Sequence, residues 1–213
     1  MLCVVCDCCF LKWIVDVVLL INKPATQRME SLSPQQVKVL LVGAGGNGCE
    51  VLKNLVLSGF DDVCVMDLDT IDLTNLNRQF LFTEADCHAA RPKAQVAAAE
   101  MKRLRPDCKV THHVVDVTTL TPRDMQQFSV IISALDNNNA RRHLNMLCMA
   151  TAIPFIDCGA LGFMGQVSLH RKGRDKCFGC QPTQDSTLGT LSCTDAKVPR
   201  TWAHCAQWAE VLF

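Results

Sequence analysis

From residue 37 onward the apolar residues of this chain follow two rhythms. Short, largely apolar runs at 37–42, 63–66, 110–115 and 130–134 predict buried strands, because a strand covered on both faces needs no polar alternation. Between them Leu, Val, Met and Ala recur at helical spacing over 49–57, 93–104 and 140–150, with Gly59 and Pro106 as stops. Strands alternating with helices predict an α/β domain, a mostly parallel sheet carrying helices on both faces. No internal repeat or low-complexity segment interrupts this pattern.

Composition sharpens the picture. A chain of 213 residues that is 49% hydrophobic and 20% charged can bury one full core, or one core and a fragment. Its 21 basic and 21 acidic residues cancel, so no overall field favours nucleic acid or an anionic membrane. The 14 cysteines are scattered through apolar segments rather than spaced as a disulfide framework, which predicts reduced intracellular thiols packed as small hydrophobes.

The stretch 3–21 is apolar but carries Asp7, Lys12 and Asp16, which argues against a membrane span. It also lacks the basic start and small-residue cleavage pattern of a secretory signal. Met29 opens a cleaner start just ahead of the first strand, so residues 1–28 are assigned as an extension, 29–176 as the main domain and 177–213 as the start of a further unit.

Gly43-Ala44-Gly45-Gly46-Asn47-Gly48 follows the first strand and opens the first helix, the context of a Rossmann-like phosphate-binding turn. Bare glycine backbone can turn sharply and present its amides, with the positive helix end, to phosphate. A purely structural tight turn is the alternative. At the end of the second strand stands Asp67-Leu68-Asp69, where a carboxylate can accept from ribose hydroxyls.

To this point a nicotinamide-dependent oxidoreductase fits equally well. The next segment separates the readings: Asp72-Leu73-Thr74-Asn75-Leu76-Asn77-Arg78-Gln79-Phe80-Leu81-Phe82, then Arg91-Pro92-Lys93-Ala94, has no counterpart in ordinary hydride-transfer folds. Arg78 and Lys93 supply two cations suited to a triphosphate and its departing pyrophosphate.

Together with Ala134-Leu135-Asp136-Asn137, these motifs resemble the adenylation domain of ubiquitin-activating-type enzymes over residues 37–213. The resemblance implies ATP as substrate, with the 43–48 loop, Asp67, Asp69, Asn75, Asn77, Arg78, Lys93, Asn137 and Arg141 around it. Asp67 would meet ribose, Asn75, Arg78 and Lys93 the phosphates, and Asp116 with Val117 would flank adenine. Asp136 would hold Mg²⁺ between the phosphates; capping the helix that follows is its alternative or additional role.

Within that superfamily, 134–137, Gly165-Gln166-Val167 and the short gap between Ala150 and Pro154 resemble the catalytic subunits that activate SUMO. The NEDD8-activating relatives usually carry a longer insertion in the gap. Cys177-Phe178-Gly179-Cys180 has zinc-knuckle spacing and makes half of a tetrahedral Zn²⁺ site, with a redox dithiol as the rival reading. Cys193-Thr194, followed by Pro199 and His204-Cys205, is similar to the region of the thioester cysteine. Cys193 is the matching position, although Asp195-Ala196-Lys197 departs from the family pattern; a structural role is the alternative, and Cys205 its candidate.

The resemblance therefore implies two steps, adenylation of a modifier's C-terminal carboxylate at Arg78 and Lys93, then acyl transfer to Cys193. It implies a smaller partner subunit in a heterodimer, SUMO as modifier, a conjugating enzyme downstream, and a nuclear and cytoplasmic location. It also implies that the chain stops before the catalytic subunit would be complete. Other readings are activation of ubiquitin or NEDD8, a sulfur-carrier adenylyltransferase, and a non-catalytic ATP-binding subunit.

Overall fold

The computed structural model describes residues 33–161 and 164–180. Six strands form one sheet in the order β3-β2-β1-β4-β5-β6. β1 (Lys38–Val42), β2 (Asp62–Met66), β3 (Lys109–His113), β4 (Val130–Ser133) and β5 (Phe155–Leu161) run parallel, and β6 (Met164–His170) returns antiparallel to β5. The helices are α1 (Gly46–Leu57), α2 (Glu84–His88), α3 (Lys93–Leu104), α4 (Pro122–Met125) and α5 (Asn138–Thr151).

Alternate side chains of each central strand feed two separate cores, as a pleat with period two requires. Val39, Leu41, Val63, Val65 and Ile132 pack with Val51, Leu52 and Leu55 of α1 and Ala94, Ala97 and Met101 of α3. Leu40, Cys64, Ile131 and Phe155 point the other way, onto Met125 of α4 and Leu144, Leu147 and Cys148 of α5. The predicted architecture, helices on both faces of a mostly parallel sheet, is therefore the observed one. The cysteines of these cores, Cys49, Cys64, Cys108, Cys148 and Cys158, are free and buried.

One expectation needs correction. The run 110–115 is not a buried strand: β3 lies at the sheet edge, only Val110 of its residues is buried, and the strand ends at His113. Val114 and Val115 remain exposed at 42% and 36%. An edge strand covered on one face uses an apolar side chain only where the covering helix, here α3, reaches it.

α5 ends where Ala152 takes a left-handed conformation, φ 60°, without the glycine that usually marks such a stop. β5 begins directly afterwards at Phe155. Among the described residues no helix is long and apolar enough to cross a membrane.

Candidate functional site

The C-terminal ends of β1, β2 and β4 meet at the glycine loop, the crevice where open parallel sheets bind ligands. Two glycines there are imposed by the protein itself. Gly43 sits at φ +98°, and a Cβ on it would lie 2.7 Å from the Ala134 carbonyl oxygen; on Gly48 a Cβ would lie 2.0 Å from the Gly43 carbonyl oxygen. Gly45 and Gly46 are different. A Cβ on Gly45 would find nothing nearer than Gln79 Nε2 at 4.0 Å, and one on Gly46 nothing nearer than the Arg78 carbonyl oxygen at 3.4 Å. Their bareness leaves backbone open at the N-terminus of α1, where amides and helix dipole favour an anion. The purely structural reading of the loop accounts for Gly43 and Gly48 only.

Asp67, at the end of β2, is already engaged in holding this loop. Its Oδ2 accepts the Ala44 amide at 2.6 Å and its Oδ1 the Asp69 amide at 2.8 Å. Burial pushes its carboxyl above the usual range, against the pull of those amides and of Lys93. Each carboxylate oxygen keeps a further lone pair, so this engagement leaves room for an added donor.

The segment 72–82 folds over the start of α1. Asp72 caps a short 3-10 turn at Leu73–Asn75 by accepting the Thr74 amide at 2.8 Å, and Asn75 answers by accepting the Asp72 amide at 3.0 Å. That turn brings Arg78 against Gly46, with its guanidinium steadied by the Thr74 carbonyl at 2.9 Å and the exposed Asn77 at 3.2 Å. Gln79 is 3% exposed, and its Oε1 has no partner.

Lys93 opens α3 on the far side of Asp67. It is buried to 8% exposure, its ammonium donates to Asp69 Oδ2 at 2.7 Å, and its amide donates to the Asp69 carbonyl at 2.9 Å. Arg78 borders Gly46 and Asp67 holds the Ala44 amide, Lys93 lies near enough to Asp67 to favour its charged form and pairs with Asp69, and Asn75 and Asn77 tie the 72–78 turn.

Asp116 accepts the Thr118 amide at 2.8 Å and starts a second 3-10 turn, Val117–Thr119, that packs against α5. Val117 is 7% exposed and contributes to the core under α5. Asp136 is exposed at the C-terminal end of β4. It is not the cap of α5: Asn137 is, accepting the Asn139 amide at 2.8 Å. Arg141 points down from α5 to the buried Asp157 of β5, Nε to Oδ1 3.2 Å. Asp157 escaped the sequence reading, and its one signal is a lone carboxylate inside the apolar run that begins β5.

Cys177 and Cys180 lie beyond β6 with their sulfurs 3.1 Å apart, in a turn tied to α5 by the Phe178 amide, which donates to Asn145 Oδ1 at 3.0 Å. Among the described residues no group of three or more His, Cys, Asp or Glu side chains collects where a metal ion could sit. Cys193, Cys205 and the extension 1–28 lie outside the described residues.

The chain is similar to known proteins along most of its length. It is 44% identical over 181 residues to SUMO-activating enzyme subunit 2 of Dictyostelium discoideum, covering 84% of this chain and 27% of that protein. It is 41% identical over 189 residues to the NEDD8-activating enzyme E1 catalytic subunit of the same organism, covering 81% of this chain and 42% of that protein. It therefore spans well under half the length of these relatives. The crystal structure of E. coli MccB with AMPCPP and selenomethionine MccA superposes with a TM-score of 0.59 at 26% identity, covering 69% of this chain and 44% of that one. The ThiF family model matches residues 21–208, and on that match the chain belongs to the ThiF family.

Proposed function

We propose that this chain is the ATP-binding, adenylate-forming part of a ubiquitin-like-modifier-activating enzyme whose modifier is SUMO. The observation that carries the reading is Arg78 packed against Gly46 of a glycine turn that is open at Gly45, with the buried Lys93 close to Asp67, the carboxylate that holds the Ala44 amide. MccB, a structural neighbour, was crystallised with AMPCPP, which favours an adenine nucleotide over NAD in this fold.

In this reading the amides of 43–48, with Ala44 and Asn47 among them, approach the phosphates, and Asn75 and Asn77 add donors beside them. Asp67 and Asp69 face the ribose side, while Asp116 and Val117 flank adenine. A carboxylate oxygen of the modifier's C-terminus attacks the α-phosphorus, and the bond from that phosphorus to the bridging oxygen breaks. Arg78 and Lys93 counter the charge that builds on the pyrophosphate, as preorganised cations that need no rearrangement at the moment of reaction. Asp136 offers the hard oxygen that a Mg²⁺ shared with phosphates requires, and such an ion would neutralise further phosphate charge. Cys193 then attacks the acyl carbon, AMP leaves, and a thioester remains.

The family resemblance adds a smaller partner subunit contributing an arginine, a conjugating enzyme as acyl acceptor, and nuclear and cytoplasmic locations. Cys177 and Cys180 would give Zn²⁺ two thiolates, completed by ligands from outside the described residues.

The test is ATP–pyrophosphate exchange with the partner subunit and purified SUMO, NEDD8 or ubiquitin. Exchange driven by SUMO supports the reading. Exchange driven by NEDD8 instead would reassign the modifier, an alternative kept open by the 41% identity to the NEDD8-activating subunit. Binding of NAD as tight as that of ATP with Mg²⁺ would overturn the adenylation reading itself.

A further inference from the structure

Where β4 ends, alongside the third residue of β5, an ion pair is buried beside the nucleotide crevice. Arg141 and Asp157 have side chains 13% and 1% exposed. Ser133 of β4 stands in register with Asp157 across the sheet. An ion pair this deep is a weak source of stability, because desolvation offsets most of its attraction. What it fixes is more informative than what it stabilises.

The guanidinium of Arg141 does three things at once. Nε lies 3.2 Å from Asp157 Oδ1 as an ion pair without hydrogen-bond alignment, Nη2 donates to the Leu135 carbonyl, and Nη1 reaches Asn138 Oδ1 at 3.5 Å. Leu135 and Asn138 are the residues on either side of Asp136-Asn137, so one planar fork brackets that dipeptide from both ends. Gly159 makes the space, since a Cβ there would lie 3.2 Å from Arg141 Nη2. Asp157 itself is too buried to touch a nucleotide.

We infer that Asp157 is a positioning residue for the nucleotide site: it holds Arg141, and Arg141 clamps the β4–α5 connection so that Asp136 is presented in one place. The inference rests on the reading of Asp136 as the Mg²⁺ carboxylate. It makes Arg141 a clamp on the loop rather than a ligand of ATP.

The test uses Asp157→Asn in the full chain, with ATP titrated calorimetrically in Mg²⁺ and in EDTA, and amide hydrogen exchange followed without nucleotide. Positioning predicts about a tenfold or greater loss of affinity in Mg²⁺, the scale seen when partners of metal ligands are removed, with little change in EDTA. Exchange should quicken over 134–138 while β1 and β2 stay protected. Equal losses in both buffers, faster exchange throughout the sheet, or no change at all would overturn the inference. If the unaltered chain binds ATP without regard to Mg²⁺, the reading of Asp136 fails, and the exchange pattern alone decides whether Asp157 holds the loop. Asp157→Asn combined with Arg141→Met leaves no unpaired buried charge to unfold the domain. It should show the same Mg²⁺-selective loss, and wild-type affinity in that double variant would also overturn the inference.

Discussion

The ammonium of Lys93 reaches back to the carboxylate of Asp69 across 2.7 Å, yet the two side chains differ sharply in exposure, 9% against 66%. Lys93 is held in the crevice by a partner that water can readily solvate once released. The backbones of the two loops are joined independently, by Lys93 to Asp69, by Ile71 to Arg91 and by a bridge between Thr70 and Pro92. The ion pair therefore reads as a parked cation, one that can exchange a carboxylate for phosphate without disturbing the fold.

Two substitutions separate these roles. Asp69→Asn leaves the buried Lys93 ammonium with only a neutral amide, so it should cost more than the about 1 kcal/mol of an exposed ion pair, measured by urea unfolding. Lys93→Met should leave the fold in place and lower ATP–pyrophosphate exchange about a hundredfold or more, the scale for removing one preorganised transition-state donor. Exchange that survives Lys93→Met would remove this lysine from the phosphate site.

The glycines of the loop divide in the same way. Gly48→Ala sets a Cβ 2.0 Å from a backbone carbonyl oxygen, so α1 must shift or the turn must open. We expect a loss of about 3 kcal/mol or more, in the range reserved for steric and core defects. Gly45→Ala meets nothing nearer than Gln79 Nε2 at 4.0 Å, should melt within a few degrees of the unaltered chain, and should still lose ATP affinity because the new methyl occupies the phosphate approach. Thermal unfolding and calorimetry on the same two proteins check the crossing pattern. A Gly45→Ala protein that binds ATP normally would show that phosphate lies elsewhere.

How much of this was legible in the sequence depended on whether the signal was local. β1, β2 and β4 are interior strands, and burial on both faces wrote them as apolar runs. β3 misled because Val114 and Val115 extend the same run past the point where the sheet ends. β5 went unread because Asp157 and Gly159 break its apolar pattern, for reasons that only appear when Arg141 is seen beside them. The glycine turn and the 72–82 segment were readable since their chemistry is carried by neighbours in the chain. The Arg141–Asp157 pair joins a helix to a strand, and no spacing rule announces it.

Acid stability offers a test away from the crevice. The hydroxyl and amide of Thr83 and the guanidinium of Arg91 all reach Asp86, and they hold its carboxyl below the usual range, Thr83 most strongly. A carboxyl depressed in the folded state contributes stability above its unfolded pKa, and that contribution fades as pH falls through the folded value, from about pH 4 downward. Burial pushes Asp67 and Asp157 the other way, so their effect is a loss as pH rises above the ordinary carboxylate range. Asp86→Asn should therefore destabilise the protein at neutral pH and converge on the unaltered chain in acid. Urea midpoints that differ equally at every pH would break the link to ionisation.

The thioester step makes the last and narrowest demand, for a thiolate. Burial pushes the thiols of Cys49 and Cys148 up to about 12 and raises that of Cys158 as well, so the core cysteines are poor nucleophiles. Adenylation needs only the groups around the glycine turn, whereas acyl transfer needs a sulfur delivered to the acyl carbon. The two steps should therefore fail separately. In the complete enzyme, with its partner subunit and modifier, Cys193→Ala should abolish the reducible modifier adduct while ATP–pyrophosphate exchange stays largely intact. Cys205→Ala should leave both in place, and Cys177→Ala should act only through stability if its thiolate serves a structural zinc. Non-reducing electrophoresis of the three variants, run beside the exchange assay, reads all of these at once. An adduct that persists in Cys193→Ala and disappears in Cys205→Ala would move the nucleophile to Cys205 and leave the adenylation reading untouched.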